Sequence, residues 1–192
     1  MGYGRVSEAR LMELAVHDIS RAWVHDIRAA GYTATSLDKL IELHIHGVTG
    51  AFVQALADAG YKGLSADKVI EVKIHGISPE YIRGMGTAGL RDLPIDKLIE
   101  LKIHGVDPKD LHELVELGYA SLPADKVIEL HIHGVSPDYI RGLADAGLKN
   151  VSASKLVELR IHGIDAAFVR QAKERGATLT PDRLIDLRIT GR

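Results

Sequence analysis

Residues 36–49 read SLDKLIELHIHGVT, and the fold turns on whether LIELHIHG inside that stretch is a strand or a helix. It alternates apolar and polar residues and is rich in β-branched side chains, as a strand would be. A leucine-rich-repeat horseshoe, with one strand per unit, also tolerates a period near the 29 residues that separate its copies here. Projection at 100° per residue favours the helix. Leu40, Ile41, Leu43 and Ile45 gather on one arc of roughly 200°. Asp38, Lys39, Glu42 and His46 gather on the opposite arc, and only His44 intrudes on the apolar side. The recurring asparagine that a leucine-rich repeat uses is missing, Asn150 being the one asparagine in the sequence. Ser36 is a good N-cap, Asp38 suits a first helical turn, and Gly47 stands where a left-handed residue closes a helix.

The same stretch recurs as IEVKIHGI at 70–77, IELKIHGV at 99–106, IELHIHGV at 128–135 and VELRIHGI at 157–164. His17, His46, His75, His104, His133 and His162 follow one another at intervals of 29 residues, and Thr190 continues the column one residue early. One glycine column runs Gly2, Gly31, Gly60, Gly89, Gly118, Gly147 and Gly176. Another runs Gly47, Gly76, Gly105, Gly134, Gly163 and Gly191. Strict self-similarity at such a period marks a solenoid. Each unit holds two segments with helix punctuation. The A segment opens at Ser20, Thr49, Ser78, Asp107, Ser136 or Asp165, with Pro79, Pro108 and Pro137 at first helical positions. The B segment opens at Ser7, Ser36, Ser65, Ser152 or Thr180, with Pro94 and Pro123 in two copies, and ends at His-Gly. The expectation is an all-α, αα-hairpin solenoid of about 13 short helices, a superhelical array with one continuous core. It forms a single repeat domain over 1–192, with units starting near Gly2, Gly31, Gly60, Gly89, Gly118 and Gly147 and a half unit from Gly176.

Helices of ~11 residues are marginal alone, so stability must come from stacking. In the A segments an aromatic column, Trp23, Phe52, Tyr81, Tyr139 and Phe168, is expected to be buried. Asp110 breaks it, and Leu111, Leu114 and Val115 carry the core there. The array begins and ends with a B segment and has no polar capping repeat at either end. Leu184, Ile185, Leu187 and Ile189 are expected to face outward, which opens a route to end-to-end self-association.

The recurrent histidine has an ordinary explanation. Glu42 precedes His46 by four residues, as Glu71 precedes His75 and Glu129 precedes His133, a favourable helical pair worth roughly 0.2–0.5 kcal/mol. The imidazole also sits in the last turn, where a cation complements the helix dipole. Two residues earlier the position is basic in His44, Lys73, Lys102, His131, Arg160 and Arg188, side chains able to snorkel outward. A metal ladder of His46, His75, His104, His133 and His162 is the sharper reading, but no metal is expected. The paired histidines of HIH point about 200° apart on a helix, and a structural zinc site needs four close ligands.

An enzyme is not expected. Every Glu/His pair is duplicated, whereas an active site needs one asymmetric constellation. GxSxG, P-loop and HExxH motifs are absent, and no cofactor is implied. The chain has no cysteine and a net charge of −2. Acids Asp58, Asp92, Asp145 and Glu174 interleave with the bases of the A segments, and no aromatic stacking column is exposed, so no nucleic acid is expected. No apolar stretch approaches the ~18 residues of a membrane span and the N-terminus lacks an apolar signal core, so no membrane is expected, the chain reads as soluble, and its compartment is unassigned. What varies on the outer face of the A segments is the column His25, Gln54, Arg83, His112, Arg141 and Arg170, a candidate binding ridge for a protein or peptide. A purely structural spacer, natural or engineered, is the alternative.

The unit GYKGLSADKVIEVKIHGISPEYIRGM at 60–85 resembles the short repeats appended to some bacterial membrane proteins, notably downstream of BlaR1-type sensor metallopeptidase domains. The likeness lies in LS-x-D-x-[LV]-I-E-L-K-I-HGVSPEYIR. It covers essentially the whole chain, least well over 2–30 and 176–192. It implies an α-helical accessory or sensing array and carries no catalytic residues to this chain. An engineered, consensus-style array would have the same regularity.

Overall fold

The computed structural model describes residues 7–33 and 35–191. Gly2, the first member of its glycine column, lies outside them. Among the described residues there are thirteen helices and no strand: α1 (Glu8–Val16), α2 (Arg21–Ala29), α3 (Leu37–Ile45), α4 (Gly50–Asp58), α5 (Ala66–Ile74), α6 (Pro79–Thr87), α7 (Ile95–Ile103), α8 (Pro108–Glu116), α9 (Ala124–Ile132), α10 (Pro137–Asp145), α11 (Ala153–Ile161), α12 (Ala166–Glu174) and α13 (Pro181–Thr190). Odd-numbered helices are the B segments and even-numbered ones the A segments. The stretch 37–45 is helix, not strand.

The ends of these helices explain the motif. Ser36 Oγ accepts from the Lys39 amide, and Ser65, Ser152 and Thr180 do the same for Lys68, Lys155 and Arg183. Pro123 caps α9 with its carbonyl alone, accepting from Lys126 at 2.9 Å. At the other end of α3, Gly47 (φ +65°) donates to His44 and Val48 donates to Leu43, both at 2.9 Å. Those two bonds make a Schellman turn. Its hydrophobic partner is Val48, fully buried, as are its equivalents Ile77, Val106, Val135 and Ile164. His-Gly-Val/Ile is therefore a single device: a helix end, a left-handed glycine and a buried pin. Asp18 (φ +54°) holds the glycine's place in the first copy.

The chain forms two compact units, the described part of Met1–Arg83 with Pro94–Ile99, and Gly84–Leu93 with Glu100–Arg192. Within each unit the helices form two layers. A helices pack on A helices (α2 on α4, α8 on α10, α10 on α12), and B helices on B helices (α3 on α5, α9 on α11, α11 on α13). Ile27, Leu40, Leu43, Leu56 and Val72 are sealed in the first unit. Leu130, Leu143, Leu159, Ile164, Val169 and Leu184 are sealed in the second. No polar or charged residue is buried among the described residues.

The aromatic column departs from expectation. Tyr81 is buried, but Trp23, Phe52, Tyr139 and Phe168 are half-buried, and Val115 is exposed. The rings stand at the seam between repeats, where a polar tip finds a partner and the flat face meets a base. Trp23 Nε1 donates to the Val48 carbonyl at 3.0 Å and Tyr139 Oη to the Ile164 carbonyl at 2.7 Å. Burial pushes the Tyr139 hydroxyl up to about 12, Asp165 adding to the effect and Arg160 opposing it, so it remains a donor. Tyr32 and Tyr119, also raised by burial, staple the next repeat through the carbonyls of Leu64 and Val151.

No single described helix is long and apolar enough to cross a membrane. Leu37–Ile45 and Gly50–Asp58 approach that composition only as a pair bent by 81°.

Candidate binding surfaces

The A-helix ridge is built as the period implies, but its charges are largely answered within the chain. Arg83 lies 2.7 Å from Glu80, Gln54 donates to Asp58 at 2.9 Å, and His112 Nδ1 sits 2.7 Å from the Pro108 carbonyl. His25 is 3.6 Å from Asp26. Arg141 is the most engaged, at 2.6 Å from Glu113 of the preceding repeat and 2.9 Å from Asp138. Its hydrogen bond to Glu113 is the main cause holding the guanidinium above its ordinary range. Arg170 is exposed. Arg83 and Arg141 each form their ion pair with the acid three residues earlier, a spacing visible in the sequence.

The histidines behave differently from the sequence reading. They are the C-cap residues, as expected from their place. The glutamates four residues earlier, however, are taken by lysines. Lys39 pairs with Glu42 and reaches Asp67 of the next repeat. Lys68 lies 2.5 Å from Glu71 and 2.6 Å from Asp96. Lys155 lies 2.6 Å from Glu158 and 2.7 Å from Asp182. Arg10 repeats the pattern with Glu13 and Asp38, and Lys126 with Glu129 and the Ser154 hydroxyl. Hydrogen bonds to Asp67 and then Glu42 raise the Lys39 ammonium above its usual range, and those to Asp96 and Glu71 do so for Lys68. A long flexible amine, reaching two carboxylates, outcompetes the imidazole. Among the described residues, no three His, Asp or Glu side chains converge to hold a metal ion.

The basic column two residues before the histidines lies on the aromatic seam instead of reaching only into solvent. Lys73 Nζ is 4.5 Å from the centre of the Phe52 ring, Arg160 is 4.8 Å from Tyr139, and Arg188 is 5.2 Å from Phe168. His44 meets Trp23 edge-on at 4.8 Å. These cation–π contacts join columns that the sequence reading had left separate.

The largest departure is at Ile45. The helical projection places it in the core arc, yet it is 57% exposed, and Ile74, Ile103, Ile132 and Ile161 lie between 57% and 60%. Val16 and Ile189 are exposed as well. The buried pin explains this. Val48, turned back by the Schellman bond, fills the core at the end of α3, and Ile45 is left on the rim. On α3, α5, α7, α9 and α13 the isoleucine shares a face with acids three and seven residues before it, as in Asp125, Glu129 and Ile132, whereas on α11 only Glu158 precedes Ile161 in this way, Ser154 holding the other position. The lysines of this face are recessed, Lys39 and Lys68 being 28% exposed, whereas Asp67 is 76% exposed. Solvent therefore meets carboxylate and isoleucine.

The C-terminal end corrects another expectation. Leu184 is fully buried and Ile185 and Leu187 are half-buried against the unit's core; of the four, only Ile189 is exposed. A B helix packs its apolar arc on the repeat before it, so the last one is covered. At the other end Leu11 is 55% exposed and Met12 71%, though their register equivalents Leu40 and Ile41 are buried, and α1 has no buried residue.

The chain is thus an all-α tandem array of helical pairs. No family model, curated protein or solved structure matches it.

Proposed function

We propose that the chain is a non-enzymatic repeat scaffold that binds a protein or peptide through the B-helix face. One observation carries this. An exposed position stays apolar and β-branched in every B helix, from Val16 to Ile189, while the exposed A-helix ridge varies freely. Within each unit such exposed apolar side chains recur on successive B helices, and repeated exposure of this kind marks a contact surface. The ridge, with Arg83 and Arg141 already in ion pairs, supports binding less well. The resemblance to arrays beside sensor metallopeptidases fits an accessory, partner-contacting role.

The test is selection from a displayed peptide library with the whole chain as bait. A variant carrying Ile103→Ser, Ile132→Ser and Ile161→Ser is expected to lose the selected peptides. One carrying Arg83→Gln, Arg141→Gln and Arg170→Gln is expected to keep them. The reverse pattern returns the site to the ridge. An empty selection by a chain that is folded by circular dichroism favours the spacer reading.

A second reading, end-to-end self-association, is favoured by Leu11 and Met12. Sedimentation is expected to show assembly that grows with concentration and disappears in the variant Leu11→Lys, Met12→Lys. A monomer at all concentrations removes it.

A further inference from the structure

We infer that the second unit holds a binding site for an aliphatic monocarboxylate, a single apolar chain bearing one acid group. The site lies at the turns from A to B helices, apart from the isoleucines of the B-helix face, and does not depend on them. A pocket of about 580 Å³ opens there, lined by the turns that follow α8 and α10 and by parts of α10 and α11. That volume is within the ~300–1,000 Å³ of small-molecule sites. Ile140, Leu143 and Leu156, all buried, close it from the core side. Half-buried Leu117, Tyr119 and Leu122 border it.

The pocket is a product of the repeat. The first unit has a counterpart three periods earlier, and every residue lining that one has its register equivalent lining this one. In both, a tyrosine is pinned by its hydroxyl to a carbonyl of the next turn. Tyr119 Oη donates to Val151 at 2.6 Å and Tyr32 Oη to Leu64 at 2.8 Å. Both partners of each bond line the pocket, so that wall is set before a ligand arrives. The sizes differ. The pocket of the first unit holds about 180 Å³, below the range of a small-molecule site. Tyr61 lines it where Leu148 lines the larger one, and the ring takes up room that the leucine leaves.

Charge selects the head group. Lys149 is the one charged side chain among the lining residues. It is exposed, and among the described residues it has no partner. Ser152 and Ala153, at the start of α11, also line the pocket. The first turn of α11 carries Ser154 where α3, α5, α7, α9 and α13 carry aspartate. No acid of that turn repels an anion, and the positive end of the helix dipole adds to the attraction of the lysine. One ammonium beside an apolar hollow matches one carboxylate on an apolar chain. A phosphate or a dicarboxylate would bring more charge than the lining answers.

The experiment titrates the full chain with decanoate by isothermal titration calorimetry. Butanoate, which lacks most of the chain, and decylammonium, which reverses the head group, run beside it. Decanoate is expected to bind, and the other two to bind at least roughly tenfold more weakly. Two variants, checked for folding by circular dichroism, place the site. Leu148→Tyr brings in the ring that the first unit carries at Tyr61, and is expected to weaken decanoate at least roughly tenfold. Lys149→Glu, on an exposed turn, is expected to weaken it as much and to narrow the gap between decanoate and decylammonium. Decanoate binding unchanged by Leu148→Tyr overturns the place. Equal binding of decylammonium to the parent chain overturns the charge. If the tyrosine variant unfolds, Lys149→Glu decides alone, and unchanged decanoate binding by it overturns the site. No binding of decanoate by the parent overturns the inference and leaves the proposed function standing, since the two sites share no residue.

Discussion

Replacing Leu159 by alanine is expected to destabilise the array by about 3 kcal/mol, and replacing Ile161, two residues on, by less than about 1 kcal/mol. Both belong to the same apolar run of α11, LVELRI, and a helical projection puts both in its core arc. The structure separates them. Leu159 is 0% exposed, within the cluster that holds Ile164, Val169 and Leu184, and its truncation leaves a cavity that close-packed neighbours fill only in part. Ile161 is 60% exposed, so most of its surface already faces water. The better helix propensity of alanine offsets some of what remains. Urea denaturation followed by far-ultraviolet circular dichroism measures both. An equal loss from the two substitutions would make the isoleucine row part of the core, and the docking surface would disappear with it.

How far the sequence could be read follows from which forces are local. Helix positions were legible because their signals are local: Ser36 and Gly47 bound α3, and the same pair of signals recurs at Ser65 and Gly76. Even the copies whose cap is proline keep the beat. The layered core was legible through Leu40 and Leu43, which face inward under any helical projection. What lay between repeats was harder. The Lys39–Asp67 contact is invisible on a single helix, yet its offset, one period less one residue, returns at Lys68–Asp96 and could have been sought as a column pairing. The Glu42–His46 spacing was sound helical geometry, but the pairing rule does not say that a third group competes for the carboxylate.

The rim position of Ile45 failed for another reason. An ideal projection treats the last turn like the others, whereas the Schellman turn brings Val48 back over the core and displaces its neighbour. The same logic explains the two ends. Treating an array as symmetric predicts that both terminal B helices expose their arcs. Each arc faces the repeat before it, so Leu184 is covered while Leu11 and Met12 are not.

Gly50→Ala is expected to cost about 2–3 kcal/mol, although it changes one hydrogen to a methyl group on a half-exposed residue. A Cβ at Gly50 would stand 2.8 Å from the backbone oxygen of Asp26, where α4 crosses α2. A backbone oxygen cannot swing aside as a side-chain tip can, so the two A helices must separate. Gly50 is also the first residue of its helix, so alanine gains little there from propensity. Two other glycines at A-helix crossings sharpen the test. A Cβ at Gly84 would meet Pro108 Cβ and Cγ at 2.9 Å, and one at Gly142 would meet only the Ala166 methyl at 3.5 Å. Both are helical, so alanine contributes roughly 0.5–1 kcal/mol in its own favour at each. Gly142→Ala should keep that gain. Gly84→Ala should lose it and about 1 kcal/mol more, because a rigid proline ring has to move. Thermal melts of the three variants therefore order as Gly142→Ala above the parent, Gly84→Ala below it, and Gly50→Ala lowest. A stabilising Gly84→Ala would mean that the crossing is looser than the contact distance requires. The small residue would then be there for chain flexibility and not for close approach. The expected order makes the A layer a set of close crossings whose separations are fixed by what stands opposite each glycine.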